Sequence, residues 1–230
     1  PTYSDRKLSE LEARYKTNPN EVETVVRLAV GRYRARRRAD AESAIAAARA
    51  LGSDDPRLLV VEAWRALDLG RPKDAEAKRA AFAAAGLVDY DVSYALGVLA
   101  AKKDDAATAE IRFREAIAAY PTDAGVSNGS LPAARVQLIK LLRAKGAVEE
   151  AMELAVEHLK YRSEDNALRK EVVDWRLGRG EKAEARKLLD LHVLIDARDH
   201  DVHLKRGTLQ LEAVDAEGAS ISAEMALDCA

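Results

Sequence analysis

Residues 93–121 read SYALGVLAAKKDDAATAEIRFREAIAAYP, and their spacing decides the fold. Ala109, Phe113 and Ala116 stand at i, i+4 and i+7, one face of a helix. Gly97 lies twelve residues before Ala109, on a preceding helical stretch. Asp104, five before Ala109, falls at the joint between the two. Working outward, the same phrase returns at a fixed period. Ala41, Ala75 and Ala109 are spaced by 34 residues, and so are Ala151, Ala185 and Ala219. The gap from Ala109 to Ala151 is 42, which is one period plus eight.

Other columns keep this register. Twelve before each anchor alanine stand Ala29, Ala63, Gly97, Ile139, Val173 and Gly207. Five before it stand Arg36, Gly70, Asp104, Gly146, Gly180 and Val214. Three of these six are glycine, the residue suited to a left-handed helix end. Each period therefore reads as helix, turn, helix, with a small residue of the first helix expected to face the anchor alanine of the second. First helices are predicted near 20–34, 56–69, 89–102, 132–145, 165–178 and 199–213. Second helices are predicted near 4–16, 38–51, 72–85, 105–120, 147–161, 181–196 and 216–229.

Leu96-Gly97, Ala109, Phe113 and Pro121 resemble the signature of the tetratricopeptide repeat (TPR) family. Ser93 and Ala100 stand where that family has aromatic residues, and Glu62 and Arg79 replace apolar residues in the second repeat. The resemblance implies an all-α, right-handed α-solenoid of helix-turn-helix repeats. Residues 1–230 are expected to form one array: a half-repeat at 1–19, repeats at 20–53, 54–87, 88–121, 132–163, 164–197 and 198–230, and a loop insertion at 122–131. The half-repeat, with no evident polar capping helix, reads as a piece of a longer chain.

Composition limits the function. The 37 basic residues nearly balance 39 acidic ones, leaving a net charge of −2 and no basic footprint for nucleic acid. No base-reading pair recurs through the repeats to suggest one-base-per-repeat RNA recognition. No apolar run is long enough to span a membrane, and no signal peptide is evident. The compartment stays open between cytoplasm and periplasm. The alanine- and arginine-rich makeup suggests a bacterial source. Cys229 is the one cysteine, so neither an internal disulfide nor a paired-thiol zinc site is available.

Chemical motifs are sparse. There is no phosphate loop, nucleophile elbow or His-Glu-x-x-His helix. The expectation is a non-catalytic chain with no cofactor and no metal. Asp199-His200-Asp201-Val202-His203 reads as a capped helix start in preference to a metal site. His158 and His192 share one register position and read as structural histidines. Arg34, Arg36, Arg37 and Arg38 cross the first inter-helix turn, either as an anion-docking patch or as a solvated helix end.

In TPR folds the first helices line a concave groove. The positions 15, 11 and 8 before each anchor place Val26, Val30, Tyr33, Val60, Trp64, Leu67, Tyr94 and Val98 on that face in the N-terminal half. Val136, Lys140, Arg143 and Lys170 follow in the middle. These residues either receive a peptide or pack between repeats. Trp175 lies off the stripe and reads as core. The family's carboxylate-clamp positions hold Val26, Val30, Val61, Asp91 and Ala95, which does not support a clamp. The implied partner is another protein or peptide, hydrophobic or amphipathic in character. Two other readings are a structural or regulatory segment of a larger enzyme or envelope/secretion assembly, and self-association through the repeat ends.

Overall fold

The computed structural model describes residues 3–119 and 130–229. Among the described residues there are thirteen helices and no strand. Contacts divide the chain into two compact units, residues 1–125 and 126–230. The first unit contains α1 (Tyr3–Thr17), α2 (Val22–Arg34), α3 (Arg38–Ala50), α4 (Pro56–Asp68), α5 (Pro72–Ala84), α6 (Tyr90–Ala101) and α7 (Ala106–Ala118). The second contains α8 (Ser130–Ala144), α9 (Val148–Tyr161), α10 (Asn166–Gly178), α11 (Lys182–Ile195), α12 (His200–Glu212) and α13 (Ala216–Asp228). Each unit is an α-solenoid of paired helices. The helix bounds follow the 34-residue register closely. Helix α8 starts two residues before the expected 132, taking in the last two residues of the expected insertion. Residues 122–129 of that insertion lie outside the described residues, as do Pro121 and Ala230.

The turns explain why the helices end where they do. Arg36, Gly70, Asp104, Gly146, Gly180 and Val214 all have positive φ, between 59° and 78°. The next residue in each case donates its backbone N–H five residues back, as in Arg37 to Arg32, Arg71 to Ala66 and Asp215 to Gln210. This closes the last turn and reverses the chain. Three of the six positions hold a side chain in a conformation that glycine adopts freely. Four of the first helices, α4, α6, α10 and α12, begin on carboxylate caps. Asp55, Asp89, Asp165 and Asp199 accept backbone N–H groups from Arg57, Val92, Leu168 and Val202.

In the first unit α2 packs on α3, α4 on α5 and α6 on α7, while α2, α4 and α6 lie side by side. The anchor alanines Ala41, Ala75 and Ala109 are fully buried. At Gly97 the nearest neighbour is the ring of Phe113, one helical turn past the anchor Ala109: a methyl group added at Gly97 would lie 2.8 Å from two ring carbons. The flat ring fills the space that the missing side chain leaves. At Gly207 the neighbours are Ser222 and the carbonyl of the anchor Ala219.

Polar residues at apolar slots of the second repeat are satisfied by ion pairs. Arg79 pairs with Glu76 and Glu115, and Arg112 pairs with the same two carboxylates, both at 2.6 Å. Glu62 meets Lys78 at 2.5 Å and Arg49 at 3.3 Å. The second unit pairs α8 with α9, α10 with α11 and α12 with α13. Its apolar cluster joins Val173, Ala185, Leu189, Val202 and Leu209.

Candidate functional site

The first unit has an open cavity of about 540 Å³. Tyr33 and Arg34 reach it from α2, Arg36 from the α2–α3 turn and Arg38 from the start of α3. Trp64, Leu67 and Asp68 reach it from α4, and Asp91 and Ala95 from α6. Three successive first helices therefore share its wall, which follows from the 34-residue register.

Its floor is aromatic. Tyr33 stacks on Trp64 with ring centroids 5.3 Å apart and planes inclined by 26°. The Trp64 indole N–H donates to Asp89 Oδ1 at 2.8 Å, so the N-cap of α6 also fixes the ring. The Arg34 guanidinium lies 5.4 Å from the Trp64 ring centre and 3.8 Å from Asp89 Oδ2. The Tyr33 hydroxyl donates to Asp68, and Arg38 Nε donates to the same oxygen at 2.6 Å. Burial, helped by that bond, pushes the Tyr33 hydroxyl up to about 12. Arg38 holds the Asp68 carboxyl below the usual carboxylate range. Desolvation moves Asp91 the other way, toward the protonated form, with Asp89 adding like charge. Arg36 sits in the left-handed conformation with its backbone N–H donating to the Tyr33 carbonyl, and its guanidinium is in no ion pair among the described residues.

The structure divides the expected groove residues. Val26 is fully buried and belongs to the core cluster of Val25 and Leu28, which also takes in Leu8 of α1 and Leu58 of α4. Val60, 8% exposed, and Trp64, 6% exposed, join the next core cluster, with Val30, Tyr33 and Leu67 packed against it. Only Tyr33, Trp64 and Leu67 of the predicted set line the cavity. Tyr94 is half-buried, its ring stacked on Tyr90 at 5.8 Å and tilted against Phe113 at 6.2 Å. Val98 and Val136 are half-buried and Lys140 is exposed. Arg143 pairs with Glu171, and Lys170 pairs with Asp199 at 2.5 Å.

The cavity thus has an aromatic floor bordered by charged side chains. Of the arginine run, Arg34, Arg36 and Arg38 line the cavity. Arg34 and Asp68 share one register position, seven before the anchor, directly after the apolar stripe. That adjacency is the signal in the sequence.

Other motifs resolve simply. Asp199 caps α12 as expected. His200 Nδ1 lies 2.7 Å from the Ala226 carbonyl and His203 Nε2 2.9 Å from the Ala197 carbonyl. His158 and His192 are buried, at 3.5 Å from Asp165 and 3.2 Å from Asp199. Trp175, expected in the core, is half-buried beneath the guanidiniums of Arg176 and Arg179, each 4.9 Å from its ring centre. Among the described residues no helix is long and apolar enough to cross a membrane.

No protein-family model matches the chain, and no curated protein matches it. Solved structures do. The chain aligns with the APC/C hetero-tetramer Cut9–Hcn1 over 89% of its own length and 40% of that chain, at 18% identity and a TM-score of 0.50. It aligns with PilF of Pseudomonas aeruginosa over 87% and 88%, at 15% identity and a TM-score of 0.47. It aligns with YrrB, described as a TPR protein with an unusual peptide-binding site, over 95% and 91%, at 14% identity and a TM-score of 0.40. At these identities the likeness speaks to the fold alone, and the fold is that of stacked tetratricopeptide-type helix pairs.

Proposed function

We propose that this tetratricopeptide-repeat chain is a non-catalytic scaffold that binds a peptide segment of a partner protein in the cavity of its first unit. The observation that carries this reading is the pairing of an open aromatic floor, Tyr33 on Trp64, with an arginine rim. An apolar side chain of the ligand would rest on Leu67 and the exposed edge of the aromatic pair. A neighbouring carboxylate would meet Arg36, whose guanidinium is in no ion pair among the described residues. The ligand class is therefore amphipathic and acidic, a refinement of the hydrophobic partner expected from the stripe alone. Helical-repeat scaffolds present such a surface on rigid elements without catalytic residues.

A peptide-display selection on the full chain tests the proposal. Counter-selection uses Leu67→Asp, which changes a partly exposed lining residue. Trp64→Ala is unsuitable because that ring also belongs to the core. The expected result is a family of peptides with an apolar residue beside Asp or Glu, lost on the variant while its melting curve is kept. Selection that yields no such family, or peptides that bind the variant equally, would refute it.

A further inference from the structure

The turn between α11 and α12 carries a second cluster, independent of the cavity. His192 lies in the last turn of α11, Asp196 is the C-cap of that helix, and Asp199 is the N-cap of α12. One donor atom from each residue lies within 4.8 Å of the other two. His192 is 1% exposed. Its Nε2 lies 3.2 Å from Asp199 Oδ2 yet makes no hydrogen bond. A buried ring nitrogen left without such a bond is costly, and this one is aimed at the two carboxylates. Asp199 Oδ1 is engaged by the Val202 N–H, which leaves Oδ2 facing the histidine. Asp196 Oδ1 accepts the Arg198 N–H at 3.2 Å, which orients its carboxylate at the turn.

We propose that this turn binds a divalent transition-metal ion of the zinc class through His192 Nε2, Asp196 and Asp199 Oδ2. An imidazole with two carboxylates suits zinc and its neighbours, whereas calcium and magnesium favour all-oxygen shells. Two carboxylates and a neutral ring offset a charge of two. The ammonium of Lys170, 2.5 Å from Asp199 Oδ2, supplies the positive charge at this carboxylate in the metal-free chain. Its side chain is 37% exposed, so it is free to swing outward as the ion enters. The preceding repeat holds the internal control. His158 and Asp165 form the same pair one period earlier, but Arg162, bonded to Glu164, stands where Asp196 stands. That turn lacks the third donor.

The test titrates zinc chloride alone into the full chain carrying Cys229→Ser, read by calorimetry, with cobalt chloride and visible absorption as a second readout. The expected result is one ion per chain and a cobalt band of low-symmetry coordination. Asp196→Asn should weaken binding about tenfold or more with an unchanged melting curve, and Lys170→Met should tighten it. Absence of both heat and cobalt band would overturn the site. So would an affinity indifferent to Asp196→Asn, which would place the ion elsewhere.

Discussion

Val214 shows most clearly what the repeat asks of single residues. It is β-branched, 89% exposed, and held at φ 59°, where its counterparts in three other repeats are glycine. The left-handed region costs an ordinary residue roughly 1–2 kcal/mol, and glycine returns part of that gain as chain entropy. Val214→Gly should therefore stabilise the protein by about 1 kcal/mol in chemical denaturation. A midpoint that stays put or falls would contradict the turn geometry. Gly97 presents the opposite case. Its hydrogen faces the Phe113 ring, so Gly97→Ala should cost roughly 1–3 kcal/mol through overpacking. Gly178 is the control, with no neighbour within 4 Å of an added methyl. There the alanine variant should be neutral or stabilising through helix propensity. Equal effects at both glycines would show that the Phe113 contact is unimportant.

At the scale of helices, the sequence was read well where one rule repeats. Anchor alanines, turn positions and helix ends all follow from a 34-residue register, and the helices fall within two residues of their expected ends. The candidate site was read less well, because a helical face names a direction and not a depth. Val26 and Tyr33 lie on one stripe of α2, yet one is sealed in the core and the other lines a cavity. Neighbouring helices decide that difference, and no single-helix pattern contains them. The arginine rim arises the same way, since Arg36 and Arg38 reach the cavity only after the turn has folded the chain back.

The joints between helices also titrate. Burial lowers the His158 pKa below its ordinary 6.5, with Arg135 and Arg162 assisting and Asp165 opposing. The unfolded chain then takes up a proton that the folded chain refuses. Stability is full above 6.5 and is lost as pH falls through the lowered folded value. His158→Gln removes this contribution, so its stability should fall less steeply than the parent's between pH 6.5 and 5. Parallel pH profiles for parent and variant would place the proton uptake elsewhere.

At the scale of the whole molecule, the two units each have their own packed interior. The first holds two apolar clusters, one around Val25 and Leu28 and one around Val61 and Trp64. The second holds the cluster around Val173 and Leu189. In a solenoid, stability sums over neighbouring repeats. A fragment of residues 1–125 should accordingly be helical by circular dichroism and melt cooperatively. It should also retain peptide binding, because every residue that lines the cavity belongs to it. A fragment without cooperative melting would show that the first unit depends on the second.

The central claim is that Arg36 and the aromatic floor receive an acidic, amphipathic segment, and a charge-swap cycle tests it most directly. The affinity of a selected peptide is measured on the parent and on Arg36→Glu, with the peptide's acidic residue intact or replaced by lysine. The account predicts that either single change weakens binding and that the two together restore much of it. Losses that merely add, or an Arg36→Glu variant that binds as the parent does, would contradict it.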